Sequence, residues 1–321
     1  MKITANDISD AYKKISPFIH KTPVLTNNSI NRITNSDLYF KCENFQKTGS
    51  FKARGAFNAI LSVNEQKLKK GVATHSSGNH AAALAFAAQR LKIKSFIVMP
   101  KNAPVNKIEA VKSYDGLIVF CDSSLEAREA TLEKVVTQTC ATFIHPYNNY
   151  DIIKGQATAA YEFFNQIEKP DYILVPLGGG GILSGTSLAT KYFSPNTKVI
   201  GVEPQIADDA FRSLRDGKIY SSTYPNTIAD GLRTSLKKRT FRILKENNVE
   251  ILTVKEKTIA EALFLIIERM KIVVEPSAVV TLAAVLENRK RFEGKKIGLL
   301  LSGGNLDLSK IPEYRKIAGK E

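Results

Sequence analysis

Residues 172–185 read Tyr172-Ile173-Leu174-Val175-Pro176-Leu177-Gly178-Gly179-Gly180-Gly181-Ile182-Leu183-Ser184-Gly185. An apolar run of strand length meets four consecutive glycines, and a helical pattern follows. The run has no polar face, as expected of a strand covered on both sides. Four glycines strip the turn of side chains, so successive backbone N–H groups, at the positive end of the next helix, can wrap one phosphate. Neither the dinucleotide fingerprint nor the P-loop fits, because position 183 is Leu and position 186 is Thr where a P-loop has lysine. The stretch predicts a strand–loop–helix unit with an anion bound beyond the strand's carboxyl end.

The same alternation extends along the chain. Strand-like runs fall at 38–43, 72–75, 95–100, 117–122, 199–203, 251–254 and 297–301. Helical stretches are expected at 51–63, 79–91, 125–138, 154–167, 185–192, 259–270 and 276–288. This order predicts an α/β fold of open parallel sheets with crossover helices. With 321 residues, 43% of them hydrophobic and 24% charged, the chain is long and apolar enough for large cores, and its composition excludes disordered and collagen-like classes. No apolar run approaches the ~20 residues that span a bilayer, and Met1–Asp7 carries no secretory h-region. Three scattered cysteines (Cys42, Cys121, Cys140) suit neither a disulfide scaffold nor a zinc site. A cytoplasmic protein without membrane contact is expected. The net charge of +15 raises the alternative of a basic nucleic-acid-binding protein. The basic residues are dispersed, however, and no nucleic-acid motif accompanies them, so no nucleic-acid partner is expected. A distributed positive field also attracts small anions.

Three further segments carry chemistry. In Thr48-Gly49-Ser50-Phe51-Lys52-Ala53-Arg54-Gly55, Ser50 is expected to cap a helix whose first turn holds Lys52. There the helix dipole would lower the lysine pKa. The segment fits a solvated lysine as well as a free amine for Schiff-base or general-base chemistry. Ser76-Ser77-Gly78-Asn79-His80 joins a strand to a helix and offers hydroxyls and N–H groups to a carboxylate. A simple capped turn would read the same way. Leu301-Ser302-Gly303-Gly304-Asn305 places a neutral hydroxyl at a strand's carboxyl end.

A lysine, a phosphate cradle, a carboxylate cradle and an edge serine together resemble fold-type II pyridoxal-phosphate enzymes (tryptophan synthase β-like), specifically the serine racemase and threonine/serine dehydratase group. The matches run from His20-Lys21-Thr22-Pro23-Val24-Leu25 through Lys52, the glycine loop and Glu275-Pro276 to Ser302-Gly303-Gly304-Asn305-Leu306-Asp307. The resemblance implies two open parallel-sheet domains with helices on both faces. The large domain would comprise residues 1–70 and 149–321, and the small mobile one 71–148. It also implies pyridoxal 5′-phosphate attached at Lys52, its phosphate on Gly178, Gly179, Gly180 and Gly181, its 3-oxygen on Asn79, its ring nitrogen on Ser302 and its ring near Phe51. The amino-acid carboxylate would be held by Ser76, Ser77, Asn79 and His80, helped by Arg128, with Lys52 and Ser77 as the catalytic pair on opposite faces.

By the same resemblance Glu203, Ala207 and Asp209 would bind Mg²⁺ or Ca²⁺, a suitable oxygen set for a hard cation. The activity implied is serine racemisation with L-serine and L-threonine dehydration to 2-oxo acid and ammonia. A dedicated L-threonine ammonia-lyase or 3-hydroxyaspartate ammonia-lyase is the alternative, and a homodimer is expected by analogy. Where vertebrate-type racemases have Asn-His-Gly-Gln, this chain has Asn79-His80-Ala81-Ala82, so nucleotide activation is not expected. Tyr147 stands where the vertebrate form has Asn, leaving substrate choice open. No regulatory domain follows Asp307, so feedback by isoleucine is not expected.

Overall fold

Ten strands among the described residues form two sheets. The computed structural model describes residues 3–221 and 225–320. The strands are β1 (Val24–Leu25), β2 (Asp37–Cys42), β3 (Val72–His75), β4 (Ser95–Pro100), β5 (Leu117–Cys121), β6 (Thr142–Phe143), β7 (Tyr172–Pro176), β8 (Lys198–Pro204), β9 (Glu250–Val254) and β10 (Lys296–Leu301). The larger sheet has the order β1-β2-β10-β7-β8-β9 and the smaller β5-β4-β3-β6. Every pairing is parallel except β1 with β2. Parallel neighbours need crossover connections, and the helices that supply them cover the sheet faces, so interior strands such as β7 and β10 are buried almost throughout. The expected α/β fold is therefore present. The short β1 and β6 escaped the sequence reading, since two residues carry no periodicity.

Every strand of a parallel sheet presents its carboxyl end on the same side. The loops after β3, β7 and β10, at Ser76, Gly178 and Ser302, thus face one crevice in their respective sheets. Three helices fix the parts relative to one another. Gly185 of the Gly181–Phe193 helix meets the Tyr150–Phe164 helix so closely that a Cβ would lie 2.6 Å from the Ala157 nitrogen. Gly155 meets the Lys52–Ile60 helix in the same way, 2.6 Å from the Arg54 carbonyl oxygen. The helix bearing Lys52 and the helix after the glycine loop are thereby packed on one shared neighbour.

A buried ionic cluster anchors the Lys52 helix. The Arg54 guanidinium donates to both carboxylate oxygens of Glu43 at 2.7 Å and to Glu162 at 2.9 Å. Lys41 also donates to Glu162 and to the Thr22 carbonyl. Burial works against the Glu162 charge, but Arg54 and Lys41 outweigh it and hold the carboxyl below its usual range. Such clusters add little net stability when complete, yet losing one partner strands a buried charge.

The helix starts differ from expectation in two places. Ser50 is extended and its hydroxyl, buried, has no hydrogen-bond partner, so it caps nothing; the helix begins at Lys52 after Phe51. The backbone is held instead by pairing with the β10 exit, where Ser50 bridges Gly303 and the Phe51 N–H donates to the Ser302 carbonyl at 3.1 Å. The helix after the glycines begins at Gly181 rather than Gly185, because the last glycine already has helical backbone geometry.

Candidate active site

Lys52 is half-buried at the meeting of these elements. Its Nζ donates to the Pro146 carbonyl at 3.3 Å and lies 5.1 Å from the Phe51 ring centroid. Burial pulls its pKa down to about 8, with the Glu275 charge opposing. Desolvation, not the helix dipole inferred from the sequence, is the main cause. The consequence is the one a carbonyl-binding lysine requires, a substantial free-amine fraction near neutral pH.

The glycine loop lies between two walls. A Cβ at Gly179 would sit 2.5 Å from the Tyr147 ring, and one at Gly178 would sit 3.0 Å from the Leu232 Cα. Gly180 has φ +83° and faces Leu236 and Thr240. Side chains are excluded at each position, so the loop presents backbone alone. Tyr147 is held by a hydrogen bond from its hydroxyl to the Ser235 carbonyl at 3.0 Å and by the edge-on His145 ring, 4.7 Å away. His145 accepts through Nδ1 from the Tyr147 and Asn148 N–H groups. Burial, then the neighbouring cationic groups, hold it neutral with a pKa of about 3.

Beyond β3, Ser76 and Ser77 are half-buried, and the Gly78 N–H donates to the Ser76 hydroxyl at 3.4 Å. Asn79 opens the Asn79–Arg90 helix, where first-turn N–H groups have no intrahelical acceptor. The His80 side chain is buried, with Nε2 3.4 Å from the Ile144 carbonyl oxygen. Burial, with Lys52 next, keeps it neutral. His80 is thus placed to offer the cradle its backbone N–H, with its imidazole engaged at Ile144. Arg128 lies on the Leu125–Thr139 helix with Nε donating to the Ser124 carbonyl; among the described residues it makes no hydrogen bond to residues 76–80, though its charge reaches His75. Ser302, 4% exposed, directly follows β10, and its carbonyl accepts from the Phe51 N–H.

Glu203, at the end of β8, and Asp209 are buried. Glu203 accepts from the Phe211 N–H at 2.6 Å, while Asp209 Oδ2 has no hydrogen-bond partner. Burial, reinforced by neighbouring acids, raises Glu203 to about 9 and Asp209 to about 6. An orphaned buried carboxylate oxygen beside a second acid fits a cation. Among the described residues no three His, Cys, Asp or Glu side chains form a metal cluster, so a third protein ligand would come from a carbonyl such as that of Ala207. The sequence reading took Glu275 only as part of the Glu275-Pro276 match and Tyr147 only as bearing on substrate choice; neither was placed against Asn79 or the glycine loop, where the structure puts them. The signal for Glu275 was a lone carboxylate between the apolar Ile272-Val273-Val274 and a helix-starting proline.

The chain belongs to the pyridoxal-phosphate dependent enzymes, whose family model matches residues 15–303. It is similar to serine racemase of Dictyostelium discoideum, 49% identical over 313 residues that cover 96% of this chain and 97% of the relative. It is also similar to beta-hydroxyaspartate dehydratase of Paracoccus denitrificans, 44% identical over 96% of this chain and 98% of that protein. The crystal structure of the Dictyostelium discoideum serine racemase superposes with a TM-score of 0.91, at 48% identity, over 95% of this chain and 99% of that one. The observed site fits the family's cofactor. It has a glycine cradle closed to side chains, an amine of lowered pKa and a neutral hydroxyl at the β10 end.

Proposed function

We propose that this enzyme racemises serine and eliminates water from L-serine and L-threonine, giving 2-oxo acid and ammonia. The observation carrying this reading is Lys52, a low-pKa amine that donates to the Pro146 carbonyl and directly follows Phe51, whose N–H pairs with the Ser302 carbonyl. Pyridoxal 5′-phosphate, when bound, would supply an aldehyde for the amine and a sink for the electrons released at the substrate's α-carbon. Gly178–Gly181 would hold the phosphate, Asn79 the 3-oxygen and Ser302 the ring nitrogen, with Phe51 flanking the ring. A serine cannot keep that nitrogen protonated as a carboxylate would, which favours elimination or prompt reprotonation over transamination.

Lys52, once displaced by substrate, can take the α-proton from one face, and the Ser77 hydroxyl can return one from the other. Ser76, Ser77 and the N–H groups of Asn79 and His80 would bind the substrate carboxylate, with Arg128 joining as residues 71–148 close over the crevice and exclude water. Glu203, Asp209 and the Ala207 carbonyl would hold Mg²⁺ or Ca²⁺ as a structural ion. A cytoplasmic homodimer completes the proposal; no helix among the described residues is long and apolar enough to cross a membrane.

The second reading, a lyase of 3-hydroxyaspartate without racemase activity, is favoured by the likeness to the Paracoccus denitrificans dehydratase. Incubation with L-serine followed by chiral chromatography separates the two. The proposal expects D-serine alongside pyruvate, and Ser77→Ala is expected to abolish D-serine while sparing much of the pyruvate. Pyruvate without D-serine from the unmodified enzyme refutes the racemase reading.

A further inference from the structure

One buried carboxyl in the site has no part in the scheme above. Glu275 precedes the Pro276–Glu287 helix, and its backbone N–H donates to the Gly303 carbonyl at 3.0 Å, joining it to the segment that carries Ser302. Asn79 Nδ2 donates to its Oε1 at 2.9 Å and to its Oε2 at 3.1 Å. On the other side, Asn305 Nδ2 donates to Asn79 Oδ1 at 2.9 Å and to the Thr48 carbonyl at 2.9 Å. A carbonyl and an ionised carboxylate can only accept. The Thr48 carbonyl therefore fixes Asn305, Asn305 fixes the Asn79 oxygen, and Glu275 fixes the Asn79 nitrogen. The Asn79 amide has a single orientation.

We propose that Glu275 is a positioning residue of the cofactor site, which orients the Asn79 amide and, through its charge, favours a proton on the Lys52 nitrogen. The inference rests on the reading that Asn79 and Lys52 contact the cofactor. The charged groups facing Glu275 are Lys52 from its own helix, Lys107 from the Val105–Ser113 helix and Asp230 from the turn at 230–232. Burial is the largest influence on the carboxyl and raises it to about 7; Asp230 adds to this, while Asn79, Lys107 and Lys52 oppose it. Above that pH the carboxylate is ionised and acts on both neighbours. Orientation and charge are separable, because glutamine keeps the length without the charge and aspartate the charge without the reach.

The test is a pH titration, from about 6 to 10, of the visible absorbance of the enzyme loaded with pyridoxal 5′-phosphate, alongside cofactor dissociation. In Glu275→Gln the midpoint for loss of the Lys52 proton falls by about one pH unit, a tenfold loss of proton affinity. In Glu275→Asp the midpoint stays near that of the unmodified enzyme, while cofactor retention weakens by about tenfold because the shorter side chain no longer spans both Asn79 contacts. A folded, coloured Glu275→Gln enzyme that titrates at the unmodified midpoint overturns the proposal. Should that variant fail to fold, Glu275→Asp decides, since cofactor retention equal to the unmodified enzyme's overturns the orienting role. An unmodified enzyme that never develops a visible band is a different failure, that of the cofactor reading itself.

Discussion

Alanine at Gly180 and at Gly294 forms a matched pair that isolates what the glycine loop contributes. Both glycines have left-handed backbones, with φ +83° and +65°. A Cβ at Gly294 meets nothing within 4 Å, so Gly294→Ala carries only the conformational penalty of a left-handed L-residue, roughly 1–2 kcal/mol. At Gly180 the same Cβ lies 2.7 Å from Leu236 Cδ2 and 3.0 Å from Thr240 Cβ, both on buried residues. Overpacking of this kind adds roughly 1–3 kcal/mol. Gly180→Ala is thus expected to cost about 2–5 kcal/mol and to weaken cofactor binding, because the walls can relax only by shifting the loop. Urea denaturation followed by circular dichroism, suited to a chain without tryptophan, gives the stability difference. Titration of visible absorbance with pyridoxal 5′-phosphate gives the affinity. If Gly180→Ala matches Gly294→Ala in both measurements, the reasoning that the loop is closed to side chains is wrong.

The pKa of Lys52 makes cofactor capture pH-dependent. Lowering it from 10.5 to about 8 raises the free amine at pH 7 by roughly 300-fold, so the rate of band formation on mixing with cofactor should climb through pH 8 and then level off; a tenfold rise per unit continuing past pH 10 would refute the shift. Arg54→Ala leaves Glu43 and Glu162 without their shared cation, and should destabilise the protein by about 3–5 kcal/mol in urea denaturation; a loss below 1 kcal/mol would mean the cluster does not anchor the Lys52 helix. Added Mg²⁺ should raise the urea midpoint of the unmodified enzyme and not that of Asp209→Asn; equal response in both would remove Asp209 as a ligand.

Strands with a nearly continuous apolar run were legible from sequence because burial on both faces leaves a mark that needs no partner: Ser95–Pro100 is found at the expected bounds, as is the shorter Val72–His75. The four glycines were equally plain, since their meaning lies in the absence of side chains. What escaped depends on contacts distant in sequence. Ser50 has the chemistry of a cap, but pairing with Gly303 fixes its backbone and leaves its hydroxyl idle. The histidine of Ser76-Ser77-Gly78-Asn79-His80 looks polar in sequence, yet the helix turns it under Ile144. Glu275 acquires a role only when the Asn79 and Asn305 loops are brought beside it, across 196 and 30 residues of chain. The cause of the Lys52 shift was likewise misread, because dipoles follow from local order whereas burial follows from the whole fold.

Borohydride reduction of the enzyme loaded with pyridoxal 5′-phosphate, followed by proteolysis and mass spectrometry, tests the central assignment most directly. One phosphopyridoxyl group per chain, on the peptide containing Lys52, is the predicted result. Stoichiometric label on another lysine, or none on a protein that has bound the cofactor, would contradict it.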